Sequence, residues 1–143
     1  MINKPFDKTL FEQNDAIGRE IVIRFFSETM NIQAESNPDP YSVDLCLFRE
    51  GKKIGYAEVE VRHSWKTDEF PFDTLNVPAR KKKLLENELP TYFFSINSGK
   101  TRMFIATDDV VLQSPLRENK NKYVANNEYF YKVDTKKCKM VVI

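Results

Sequence analysis

Between Tyr41 and Trp65 the chain contains Glu58, Val59, Glu60, Val61 and Arg62 in the period-two rhythm of a half-buried β-strand. Successive strand side chains point to opposite faces, so Glu58, Glu60 and Arg62 share one face in steps of roughly 6.5 Å, and Val59 and Val61 fill the other. Upstream, Val43-Asp44-Leu45-Cys46-Leu47-Phe48 reads as a second strand. The turn Glu50-Gly51-Lys52-Lys53 folds it back so that Asp44 approaches Glu58. Carboxylates that close repel one another unless a cation neutralises them. A hard divalent ion held by one or two carboxylates and a phosphate is the usual remedy. Taken alone, the alternation also describes a solvated strand face with cross-strand ion pairs. Asp44 and an inward-facing lysine further on move the reading towards a site.

A chain of 143 residues fits one domain, residues 1–143, with a core that needs no staples. The two cysteines, Cys46 in an apolar run and Cys138 near the end, form neither a disulfide framework nor a zinc-type spacing. No stretch approaches the twenty or so apolar residues of a membrane span. The expectation is a soluble, cytoplasmic protein in a reducing compartment, with no membrane partner. A net charge of +1 gives no global pull on nucleic acid, so any such binding has to come from a local basic cluster.

Along the chain, Leu10, Ile17, Ile21 and Phe25 with Phe11, Val22 and Phe26 trace an apolar stripe of period 3.6 over Thr9 to Thr29, a long amphipathic helix weakened slightly by Gly18. Asn31 to Glu35 is a short strand, ended by Asn37-Pro38-Asp39-Pro40. After the two central strands, Lys66 to Asn76 reads as a packed loop. Val77 to Leu89 reads as a second helix, with Pro78 in its first turn and Pro90 as its stop. On that helix Val77, Leu84 and Leu85 mark the buried side. Lys81 falls in the middle of it, Arg80 at its edge, and Lys82 and Lys83 point away. An inward lysine either snorkels or meets an anion, and the carboxylates are the nearest anions. Thr91 to Ile96 is a β-prone run buried on both faces, turned by Asn97-Ser98-Gly99-Lys100 into Met103 to Ala106. The intervening helix makes the Glu58 and Tyr92 strands a parallel pair. Asp108 to Gln113 is a helical turn and Arg117 to Lys122 a polar loop. Tyr129 to Val133 and Cys138 to Val142 read as a closing hairpin.

Helix, three strands, helix, strand, with Asp44 opening the second strand and Glu58-x-Glu60 in the third, resembles the PD-(D/E)XK nuclease superfamily over roughly Thr9 to Ala106. The resemblance implies an α/β, restriction-endonuclease-like mixed β-sheet flanked by helices, an α-β-β-β-α-β core, here with a C-terminal β-hairpin. It puts Asp44 in the place of the motif's Asp, Glu58 in that of its Asp or Glu, and Glu60 in that of its Lys. Asp44 follows Val43 rather than a proline. The literal Pro38-Asp39 pair lies in a loop, where Asp44 belongs to a strand that holds it rigidly. Lys81 is the candidate for a lysine supplied from the following helix. Glu20, ahead of Glu12, is the candidate for an acid from the first helix.

The implied activity is metal-dependent hydrolysis of phosphodiester bonds, with DNA the expected nucleic-acid partner and a homodimer or larger assembly where both strands of a duplex are cut. Asp44, Glu58, the Val59 carbonyl and Glu20 are the metal ligands of this reading, with Mg2+ or Mn2+ as cofactor. Asp44, Glu58, Glu60 and Lys81 form its catalytic set, in which Glu60 accepts a proton from water and Lys81 or Arg80 stabilises charge on the phosphate. Arg62, Lys66, Arg80, Lys82 and Lys100 are its contacts to the nucleic-acid backbone. The other reading is a nuclease-fold module without turnover, binding nucleic acid or protein, and Glu60 in the lysine's place is its main argument. His63 has no Ser or Cys partner in register and reads as a strand-end residue. Trp65, Phe70 and Phe72 read as cover for the core edge.

Overall fold

The computed structural model describes residues 8–119 and 128–143. The long apolar stripe forms helix α1 (Lys8–Met30), followed by strands β1 (Gln33–Ser36), β2 (Leu45–Arg49) and β3 (Lys52–Arg62). Glu50 and Gly51 make the β2–β3 turn at positive φ (51° and 78°), the left-handed backbone that a tight two-residue hairpin loop requires. Strand β4 (Thr74–Pro78), a 3-10 turn (Ala79–Lys81) and the single-turn helix α2 (Lys82–Leu85) lead to β5 (Thr91–Asn97) and β6 (Arg102–Thr107). Helix α3 (Asp108–Leu112), β7 (Leu116–Asn119), β8 (Glu128–Asp134) and β9 (Lys139–Val142) complete the described chain.

The fold is mixed α/β, with a six-stranded mixed sheet in the order β1-β2-β3-β5-β6-β9 and a three-stranded sheet in the order β4-β8-β7. Strands β1, β2 and β3 run antiparallel in succession, and β3 pairs parallel with β5 from Tyr56↔Thr91 to Arg62↔Asn97. Side-chain alternation then assigns the two faces. Val59 and Phe94 join Val22 and Phe26 of α1 in one core, while Phe93 joins Trp65, Val77, Leu85 and Tyr131 under the small sheet. The doubly buried β5 run is thus shared between two cores. Gly18 lets α1 lie close on β3, because a Cβ there would stand 3.0 Å from Val61 Cγ2 and 3.3 Å from Val59 Cγ1. With Val59 and Val61 turned to α1, Glu58, Glu60 and Arg62 face the small sheet.

Four expectations are corrected. The helix expected over Val77–Leu89 is a strand end, a 3-10 turn and one helical turn. Leu75 and Val77 are fully buried at a spacing of two, and β4 pairs with β8 from Thr74↔Asp134 to Pro78↔Phe130, so cross-strand packing overrides the helical register. Pro78 is the last residue of β4, where its missing N–H interrupts nothing further along the strand. The loop expected over Lys66–Asn76 accordingly ends in strand. The closing hairpin is absent: β8 belongs to the small sheet and β9 to the large one, against β6. Part of the expected loop at Arg117–Lys122 is β7, and its remainder lies outside the described residues. Among the described residues no helix is long and apolar enough to cross a membrane.

Candidate carboxylate and lysine site

Asp44 stands one residue before β2, level with the middle of β3. There the two segments exchange side-chain to main-chain hydrogen bonds. The Asp44 N–H donates to Glu58 Oε2 (3.2 Å), and the Val59 N–H donates to Asp44 Oδ2 (2.7 Å). Reciprocal bonds of this kind fix both carboxylates against the sheet and restrict their rotamers. Lys81, from the 3-10 turn after β4, reaches the same point, its Nζ 2.6 Å from Glu58 Oε1 and 5.8 Å from the centre of the Phe93 ring. The Glu58 side chain is 8 % exposed and that of Lys81 20 %. Burial, and after it the charge of Asp44, raises the Glu58 carboxyl above its ordinary value, while Lys81 pulls it down.

A further acid, Asp15 of α1, belongs to this neighbourhood. Its carboxyl is raised by burial first and by the charge of Asp44 second, with Arg19 and Lys81 acting in the opposite direction. Sequence reasoning placed Glu20 here instead. Glu20 is exposed and lines a groove between α1 and β9 with Ile17, Arg24 and Met140. The signal for Asp15 was Gly18, which marks where α1 touches β3. The residue three positions earlier lies on the same helix face, one turn nearer the strand end.

Glu60 and Arg62 share the Glu58 face and form a pair of their own. Arg62 Nη2 is 3.5 Å from Glu60 Oε2, Nε donates to Ser95 Oγ (3.2 Å), and Nη2 donates to the Asn76 carbonyl oxygen. Burial lowers the pKa of this guanidinium, whose side chain is 13 % exposed. Arg62 is thus a strut between β3, β5 and β4, and its position does not match the expected contact with a phosphate backbone.

The other expected backbone contacts are scattered. Arg80 is exposed and paired with Glu128 (3.0 Å), and Lys82 is exposed and paired with Glu86 (3.5 Å). Lys66 is exposed. Lys100 ties the β5–β6 turn to α1 through Asn14 Oδ1 (2.9 Å). Asp39 sits in an exposed turn, accepting the Tyr41 N–H (3.0 Å), away from the exchange between Asp44 and Glu58. His63 is exposed. Trp65 is fully buried and stacks on Phe104 at 5.1 Å between ring centres.

The site therefore joins two interlocked carboxylates and a lysine on one of them, with Asp15 of α1 within electrostatic reach of Asp44. Among the described residues no group of three or more His, Cys, Asp or Glu side chains is close enough to hold a metal ion. The donor set that is present, Asp44 with Glu58, fits an ion such as Mg2+ that keeps several waters and needs only one or two protein carboxylates. What the arrangement defines is a mixed α/β protein with a carboxylate and lysine cluster at the junction of its two sheets. No family model, curated protein or solved structure matches the chain.

Proposed function

We propose that the chain is a metal-dependent phosphodiesterase of the nuclease type, acting on DNA, with its reaction centre at Asp44, Glu58 and Lys81. One observation carries the reading. A carboxylate just ahead of β2 and one on β3 are locked to each other's backbone, and a lysine from the crossover lies 2.6 Å from one of them. The order of elements supports it. Helix α1, three antiparallel strands, a crossover and a strand parallel to the third follow the sequence of the PD-(D/E)XK resemblance, although the crossover is mostly irregular.

In this reading Asp44 and Glu58 would hold Mg2+, which when bound would supply charge stabilisation at the phosphate and an acidified water. The protein's own work is positional. The Val59 N–H orients Asp44 and the Asp44 N–H orients Glu58, so both present fixed oxygens to the ion. Lys81 offers a mobile positive group for charge developing on the phosphate oxygens. Glu60, one step along the strand, accepts a proton from water with the carboxylate oxygen that Arg62 leaves free.

A second reading, a nuclease-fold module without turnover, is favoured by the Arg62 pairing that partly neutralises Glu60. Incubation of supercoiled plasmid with the protein and Mg2+ or Mn2+ separates the two. Nicking that disappears in Glu58→Gln supports the enzyme. DNA binding without nicking at any divalent ion concentration supports the module.

A further inference from the structure

Both oxygens of Glu58 are already engaged: Oε1 with the Lys81 ammonium at 2.6 Å and Oε2 with the Asp44 N–H at 3.2 Å. The first of these partners is a cation. We propose that Lys81 is the resident counter-ion of the site, and that a divalent ion reaches Glu58 only by displacing the Lys81 ammonium. The inference rests on the functional reading above and adds an order of events to it: the ion enters first, and its entry releases the lysine for phosphate.

Three features make the exchange feasible. The rival cation is tethered by a flexible four-carbon stem rather than a rigid fork, so it can leave without moving the backbone. Its side chain is 20 % exposed against 8 % for Glu58, so the lysine is the more solvent-accessible member of the pair. The amine also lies 5.8 Å from the centre of the Phe93 ring, a weak attraction that keeps the lysine near the site once it has left Glu58. The Asp44 N–H bond to Oε2 need not change, because it orients the carboxylate without neutralising it.

A site whose competent form is only a minor population binds its ligand more weakly by that fraction. Removing the rival charge should therefore tighten ion binding. The test is calorimetric titration of Mn2+ alone into the full chain and into Lys81→Gln, which keeps a hydrogen-bond donor but no charge. The expected result is a dissociation constant lower by about tenfold in the variant, within the range of ordinary coupling between two ligands. A second measurement uses the unmodified protein and does not depend on the variant folding. The Lys81 ammonium proton signal, identified by its proximity to the Phe93 ring, should vanish or shift to a free-lysine position on saturation with Mg2+. Equal or weaker Mn2+ binding by Lys81→Gln, or an ammonium signal unchanged at saturation, overturns the counter-ion and leaves the metal-dependent reading standing. No ion binding to either chain overturns both.

Discussion

Replacing Lys81 by methionine tests the electrostatics of the site without any substrate. At 2.6 Å and an effective dielectric of about 20, the Lys81–Glu58 attraction is about 6 kcal/mol before desolvation is counted. Desolvation of both groups offsets much of that. Taking one partner from a buried pair costs about 3–5 kcal/mol, because the other charge stays behind unpaired. The partial exposure of Lys81 puts the expected loss at the low end, about 3 kcal/mol at neutral pH. The sign of the pH dependence follows from Glu58. Its folded value lies above its ordinary 4.5, so the folded state binds more protons than the unfolded one between the two values, and stability falls as pH rises through that window. Without Lys81 burial and the charge of Asp44 are opposed only by the Asp44 N–H bond to Oε2, and the window extends further upward. The deficit of Lys81→Met against the parent should be largest on the alkaline side, where Glu58 is ionised in both proteins, and shrink as pH falls and Glu58 takes up its proton. Urea unfolding followed by circular dichroism over a range of pH measures it. A deficit below about 1 kcal/mol, or one of constant size across the range, refutes the buried-pair account.

Three further outcomes follow from the packing. Gly18→Ala should gain about 1 kcal/mol of helix propensity and lose more, for a net destabilisation of about 1 kcal/mol in denaturant titration, because the new Cβ meets Val61 Cγ2 at 3.0 Å. Arg62→Lys should lower stability by about 2–3 kcal/mol, since one ammonium cannot hold the Ser95 hydroxyl and the Asn76 carbonyl together; thermal unfolding reads the loss. Burial, with the charge of Asp134 next, pushes the Cys138 thiol up to about 11. Roughly one thiol in a thousand is then ionised near pH 8, so Cys138 should resist iodoacetamide in the native protein and react once urea is added.

The elements that were legible in the sequence are those whose pattern is local and unambiguous. The α1 stripe, the Glu50–Gly51 turn and the Glu58 to Arg62 alternation each contain enough residues to fix period and phase. The parallel β3–β5 pair followed from a crossover long enough to carry the chain back, whatever that crossover was made of. Val77–Leu89 was misread because a stretch that is strand, 3-10 turn and single helical turn in succession mimics helical spacing when averaged. Leu75 and Val77, two apart and both buried, held the competing signal, but their partner β8 lies more than fifty residues away. The β8–β9 hairpin failed for a related reason. Two strands with a short connection pair by default, unless each finds a better-packed neighbour elsewhere, and that is a property of the whole fold.

The same distinction between local and distant signal applies within the site. Lys81 was placed inward by a helical register that does not exist, yet it does meet Glu58. The buried residues used to set that register, Val77 and Leu85, are buried in strand and helix alike, and the residue midway between them cannot avoid the same interior. Glu60 shows the converse. Its place on the Glu58 face was legible, but its partner was set by Arg62, two residues along on the same face and buried deeply enough to need every acceptor within reach. Two carboxylates of identical chemistry, one strand step apart, are thereby separated in role. Glu58 meets a lysine with room to leave, and Glu60 meets an arginine anchored to two strands. The charge contact that the proposed ion would have to exchange therefore lies at Glu58, and the one fixed by the fold lies at Glu60.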